Sequence, residues 1–313
     1  MERRDLPKTL YFSSIAVLAA YLALAPLAGH LITPNFLLLQ LMALAISFNI
    51  IAGYVRYVSF GHVAFFGIGA YVTAILVWKL GLPPLLCVFV GGVGATLAAL
   101  VVGIPTLRLR GTYFAIATIA LNEAIKGSIL ILPDSVAGGS HGIPQPSIYA
   151  PLASYYALLG VTIGALVVMH FLVSSRMGLR FRSIGEDEEA ASAMGINTVG
   201  VKLLGFMISA FLAGLVGGMN FWYTTYVEPV SAFNLRISIG MMATALLGGL
   251  GTLFGPLLGA VILYPVEQVL WVSFPEVYLM VLGAAIAIFV VFLPRGIMGY
   301  IRSKFSEFRA FIL

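Results

Sequence analysis

The chain has 313 residues, of which 61% are hydrophobic and only 9% charged, against roughly 25% charged in soluble domains. A mean hydropathy of +1.05 excludes a soluble enzyme or regulator and leaves an integral membrane protein. The net charge of +5 does not read as nucleic-acid binding, because the basic residues lie at the ends of apolar stretches. The single cysteine, Cys87, sits inside such a stretch, which excludes an internal disulfide or a thiolate metal cluster.

A helix needs about 20 apolar residues to cross the hydrocarbon core. Spans measured this way fall near 10–28, 35–53, 59–79, 84–104, 112–132, 153–173, 203–223, 235–250, 256–272 and 277–293. The expected fold is all-α: one polytopic helical bundle over residues 1–313, with about ten transmembrane helices and a range of eight to ten. The first span follows a basic stretch, Met1 to Lys8, is longer than a signal peptide's apolar region and is expected to be retained. The eighth is short and runs into Gly248-Gly249-Leu250-Gly251, so it is either a crossing or half of a broken helix.

Lysine and arginine concentrate on the cytoplasmic side of membrane proteins. With the N-terminus inside, Arg3, Arg4, Lys8, Arg56, Arg108, Arg110, Arg176, Arg180, Arg182, Lys202, Arg295, Arg302, Lys304 and Arg309 all face the cytoplasm. Only Lys79 and Arg236 face out, and Lys126 lies within a span. Both termini are therefore expected to be cytoplasmic. Trp78, Trp222 and Trp271 fall at outer span ends, where indole rings favour the interface. Close helix packing is written in small residues four apart: Gly205, Ser209, Ala213 and Gly217, then Ala210, Gly214 and Gly218, then Gly251, Gly255 and Gly259.

Three stretches carry more than apolar length. Ser59-Phe60-Gly61-His62 opens the third span, and Gly103-Ile104-Pro105-Thr106-Leu107-Arg108-Leu109-Arg110-Gly111 forms the turn after the fourth. The longest polar interruption runs from Gly178 to Leu204, within a loop of about 176–202, and holds Glu186, Asp187, Glu188 and Glu189 together. Most helix–helix connections run about 2–8 residues, so a loop this long and charged is more than a connector. The acidic run suits a helix N-terminus, Ala190, Ala191, Ala193 and Met194 favour helix, and Gly195 suits the left-handed position that ends one.

Glu189-Ala190-Ala191, three residues and then Gly195 resemble the EAA-xxx-G signature of ABC-importer permeases. The surrounding residues from Ile184 to Leu204, with the two earlier stretches and Phe292-Leu293-Pro294-Arg295-Gly296, are similar to the LivM-type permeases of branched-chain amino acid importers. The apolar-Leu-Pro ending of the broader signature is missing. The resemblance implies a prokaryotic inner-membrane permease paired with a second, homologous permease. It also implies an extracytoplasmic binding protein and two cytoplasmic ATPases that hold the ATP and magnesium. The loop would be the coupling helix, with Glu186, Asp187, Glu188, Glu189, Ala190, Ala191, Met194 and Gly195 as its coupling residues. No cofactor is expected on this chain, and no G-x-x-x-x-G-K-[ST] phosphate loop is present.

Candidate pathway residues are the polar groups inside spans, which are costly there and carry a functional hypothesis by default. Glu123 and Lys126 are three apart, share a helix face and can pair; they line the pathway or form a structural pair. Glu267 has no charged partner in the sequence of its own span and lies toward its outer end; it either snorkels to the interface or is a candidate contact for a substrate amine. Asn122 and Asn220 are read as interhelical hydrogen-bond residues or as pathway ligands. His62 is a candidate gate, ATPase contact or helix-entry residue, and His141 marks the outer loop 133–151, a receiver for a binding protein or a plain turn. The four histidines have no metal-ligand spacing. The same architecture would suit urea or short amides. The rival class, a carrier driven by an ion gradient, calls for more intramembrane acids than this chain has.

Overall fold

The computed structural model describes residues 18, 20–27, 29–274, 280, 283–284 and 296–304. Among them, seven helices are long and apolar enough to cross a membrane. We label the main helices α1 (Ile32–Asn49), α2 (Val63–Leu80), α3 (Pro84–Thr106), α4 (Thr112–Ile131), α5 (Pro151–Ser174), α6 (Arg176–Glu186), α7 (Glu188–Ala193), α8 (Thr198–Thr224), α9 (Leu235–Gly248), α10 (Gly255–Ser273) and α11 (Gly296–Lys304). The predicted second to eighth spans correspond to α1–α5, α8 and α9. Of the predicted first and tenth spans only residues 18, 20–27, 280 and 283–284 are described, and both termini lie outside the described residues.

The core is a tight trio of α2, α3 and α8, and its glycines explain why. A Cβ on Gly217 would overlap the carbonyl oxygen of Phe66, and one on Gly69 would overlap Gly214. A Cβ on Gly214 would stand 2.5 Å from the Cβ of Ala95, and one on Gly218 would stand 2.5 Å from Thr73 Oγ1. Backbones meet directly, as expected of small residues in a medium where apolar burial gives helices no reason to associate. The two stripes read on α8 differ in what they meet: Gly217 lies against α2, whereas Gly214 and Gly218 lie between α2 and α3. The third stripe is only partly helical. Gly255 and Gly259 pack within α10 against the end of α9, but Gly251 lies in the preceding turn at φ +73°.

α1 runs on through one π-helical turn, Ile50–Tyr54. Beside it, Asn49 clamps the turn between α9 and α10: its Nδ2 donates to the Thr252 carbonyl at 2.8 Å, and its Oδ1 accepts from the Gly251 N–H at 2.9 Å. α9 has 14 residues, about 21 Å at 1.5 Å per residue. It is an unbroken short helix, preceded by a one-turn helix, Pro229–Ala232. Trp78 is exposed, as an interfacial ring should be, but Trp222 is buried.

The two ends of the bundle differ. At one, the α1–α2 and α3–α4 turns meet α6 and α7. At the other, the loop 133–150 is ordered: β1 (Ile143–Pro144) pairs antiparallel with β2 (Tyr226–Val227), and the Gln145 N–H donates to the Thr225 carbonyl at 2.7 Å. His141 sits on the surface of this cap, and its carbonyl accepts from Tyr226 OH at 2.9 Å. The loop therefore carries secondary structure of its own and is not a plain turn.

Candidate coupling element and polar sites

The acidic run is not one helix start. Glu186 ends α6, Asp187 is extended, and α7 begins at Glu188. Asp187 caps α7, its Oδ1 accepting from the N–H groups of Glu189 and Ala190 at 2.9 and 3.0 Å. Gly195 follows at φ +83°. Its N–H reaches the Ser192 carbonyl at 2.9 Å, and the Ile196 N–H reaches Ala191 at 3.1 Å, which is the two-bond left-handed ending of a helix. α6 is bound from beneath: Gly178, Phe181 and Ile184 are buried, and the Phe181 ring lies where a Cβ on Gly205 of α8 would stand 3.2 Å away.

Each acidic residue of the run has its own partner inside the chain. Glu186 pairs with Arg56 at 2.5 Å, and Glu189 with Arg110 at 2.7 Å. Glu188 points inward, its side chain 15% exposed, onto Lys202, whose side chain is 2% exposed. Lys202 Nζ donates to Glu188 Oε1 at 2.6 Å, to Tyr57 OH at 2.9 Å and to the Leu107 carbonyl at 2.8 Å. All three ammonium hydrogens are thereby used. Tyr57 OH in turn donates to Glu188 Oε2 at 2.5 Å. Burial pushes the Glu188 carboxyl up, but the hydrogen bonds from Lys202 and Tyr57 and the charges of Lys202 and Arg110 outweigh it and hold it below the ordinary 4.5. The Tyr57 hydroxyl is pushed up by burial and then by its bond to Glu188. The result is a neutral phenol and an ammonium closing on a carboxylate.

This clamp joins α7 to α8, to the α1–α2 turn and to the end of α3. α7 and its end leave Glu189, Ala190, Ser192, Ala193, Met194 and Gly195 exposed, with Met194 72% exposed; Ala191 is buried beneath them. A Cβ on Gly195 would meet no atom within 4 Å, so the demand on that position is purely conformational. Gly195→Val is expected to destabilise the end of α7 by about 1–2 kcal/mol, the usual cost of the left-handed region to a residue with a Cβ. Faster amide exchange at Gly195 and Ile196, with the bundle's own protection unchanged, is the measurement that checks it.

The remaining candidates do not converge on one site. His62 is wholly buried, which removes it from any contact with a partner ATPase. Ser47 and Ser209 each donate to the other's backbone carbonyl, at 2.8 and 2.7 Å, so both hydroxyl oxygens are left to accept from His62 Nε2, at 3.0 and 3.2 Å. It ties α2 to α1 and α8. Asn122, also buried, donates to the Phe233 carbonyl at 2.9 Å. Glu123 and Lys126 pair on α4, partly exposed. Asn220 donates to Gln40 Oε1 at 2.8 Å. Glu267 is paired from another helix by Arg236, at 3.6 Å.

Membrane-length apolar helices, packed through glycine and carrying a short polar helix pair beneath one end, make this an all-α multi-pass membrane protein. Residues 35–291 match the family described as "branched-chain amino acid transport system / permease component", and the chain belongs to it. It is 28% identical to the high-affinity branched-chain amino acid transport system permease protein LivM of Escherichia coli (strain K12), over 83% of this chain and 68% of that one. It is also 28% identical to the LivH permease protein of the same description from Salmonella typhimurium, over 82% of this chain and 90% of that one. BraD of Pseudomonas aeruginosa, another permease protein so described, is 25% identical over 82% and 90%. No solved structure matches the chain.

Proposed function

We propose that this permease is one of a pair in an ATP-driven importer of branched-chain or other apolar amino acids in a prokaryotic inner membrane. Two cytoplasmic ATPases, carrying ATP and magnesium, engage α7, and a binding protein delivers substrate at the β1–β2 end. The similarity to both LivM and LivH supports pairing with a second, homologous permease. The observation that carries the coupling role is the shape of α7: an uncharged knob at Met194 outside, and Glu188 rooted in the bundle through Lys202. A push on Met194 is passed by that root to α8, to the α1–α2 turn and to the end of α3 together. Rigid displacement of this kind rocks helices about a central pathway and exposes opposite faces in turn.

Met194→Glu tests the docking face without touching the fold, since the side chain is largely in solvent. A charge placed at the centre of an apolar contact is expected to weaken ATPase association about tenfold or more and to stop uptake, read by co-purification and by leucine import into proteoliposomes. Wild-type association and uptake would remove α7 from the coupling role. Uptake driven by a sodium or proton gradient with no ATPase present would favour a self-contained carrier.

A further inference from the structure

The outward faces of the membrane-length helices are not alike. Every exposed residue of α3 is apolar, as a surface covered by acyl chains should be. α4 breaks that pattern. It is the least buried of the seven membrane-length helices, and only Phe114, Thr118 and Asn122 of it are buried, one to a turn. Each of the three is seated. The Phe114 ring stands edge-on to Tyr57 at 5.2 Å, Thr118 Oγ1 accepts from the Gly61 N–H at 3.3 Å, and Asn122 donates to the Phe233 carbonyl. These contacts fix the rotation of α4 about its axis, and with it the face that points away from the bundle. Along that face run Ile116, Ala120, Glu123, Gly127 and Ile131, at helical spacing. The Glu123 side chain is 46% exposed, although it pairs with Lys126, and a Cβ on Gly127 would meet nothing within 4 Å. Glu123 stands about 17 Å along the helix at 1.5 Å per residue, well inside a hydrocarbon core roughly 30 Å thick. Charged residues at such depth face a bundle interior or a water-filled cavity rather than lipid. None of the described residues covers this one.

We infer that this face of α4 is covered, in the assembled importer, by the second, homologous permease. The inference rests on the pairing reading above and gives the pair a surface. The ATPases and the binding protein of that reading stand outside the membrane, so of its parts only another permease reaches Glu123. The partner meets the Glu123–Lys126 pair with polar groups or with water held between the two permeases, and either solvates charge where acyl chains do not. Ala120 and Gly127, on either side of Glu123, are small enough for a partner helix to approach the main chain. Phe114 seats the same helix on Tyr57, which belongs to the clamp beneath α7. The wall turned to the partner and the element turned to the ATPases therefore share a root.

The test uses the full chain co-purified with the LivH-like permease of the same importer, in lipid nanodiscs. A photoreactive benzoylphenylalanine is placed at Ile116 of α4 or, as a lipid-facing control, at Ile163 of α5, which is 52% exposed. Light is expected to join the two permeases from Ile116 and not from Ile163, the product being identified by its peptides. A second measurement compares Gly127→Leu with Gly160→Leu on α5. Both positions are open within this chain, and both changes favour helix. Gly127→Leu is expected to lower the ratio of paired to single permease about tenfold or more, as overpacking of a close contact does, and Gly160→Leu to leave it unchanged. A defect in folding lowers the yield of the chain but does not move that ratio selectively. Products from Ile116 only with lipid, with another segment of this chain or with a second copy of it overturn the inference, as does wild-type pairing of Gly127→Leu. Cross-links from Ile163 in place of Ile116 overturn the surface while the pairing reading stands. Leucine import by this chain with the ATPases and no second permease overturns the pairing reading, and this surface with it.

Discussion

Replacing Lys202 with methionine is expected to loosen α7 from the bundle, destabilise the protein by about 3 kcal/mol, and abolish ATP-driven uptake while leaving membrane insertion intact. Methionine keeps the length and apolar stem of lysine, so no cavity opens. What is lost is the ammonium that holds Glu188, Tyr57 and the Leu107 carbonyl together. Removing one partner of a buried ion pair costs about 3–5 kcal/mol, because a charge is left in a poor solvent. The low end applies here, since Arg110 stands 3.9 Å from Glu188 Oε2 and remains to screen it. A second change, Glu188→Gln in the same background, removes the stranded charge and is expected to recover most of the stability. It should not recover uptake, because the connection between α7 and α8 is still cut. Thermal unfolding in detergent and leucine uptake in proteoliposomes separate the two effects. Full ATP-driven uptake by Lys202→Met would show that the clamp does not transmit the motion of α7.

The positions of the spans were legible because apolar length is a one-dimensional property, and lipid demands it of every crossing. The ending of α7 was legible for a similar reason: alanines followed by Gly195 form a local signal, and helix ends are decided locally. The clamp was not. Four consecutive acids look alike in sequence, and which one turns inward depends on Lys202, 14 residues on, and on Tyr57, 131 residues back. Lys202 read simply as one more basic residue at a span's cytoplasmic end. Its one distinguishing sign was its place at the head of an apolar helix whose neighbouring faces are small and closely packed. Arg236 and Glu267 show the same limit: charges far apart in sequence meet across a gap between helices. Gly251 marks the converse error, since a spacing of four cannot tell a glycine in a turn from one on a helix face.

Gly217→Leu is expected to prevent assembly of the bundle, whereas Gly164→Leu on α5 is expected to be tolerated. Both replace glycine by leucine within an apolar helix, and both improve helix propensity, so their difference isolates packing. At Gly164 an added Cβ meets nothing within 4 Å. At Gly217 the Cβ would overlap the Phe66 carbonyl oxygen and stand 3.1 Å from the Ala70 N, and no rotamer can move a Cβ away from a backbone. α2 and α8 would have to separate. That separation would strain the contacts on either side, Gly214 against Ala95 and Ser209 against His62. Overpacking of a well-filled core typically costs about 1–3 kcal/mol, and the upper end is expected where the obstacle is main chain rather than a side chain that can turn. In lipid there is little apolar burial to offset the loss, because the parted faces are as well solvated by acyl chains as by each other. The comparison is read by the fraction of each variant that survives extraction as a monodisperse protein in mild detergent. Equal recovery of the two would mean that α2 and α8 do not meet backbone to backbone.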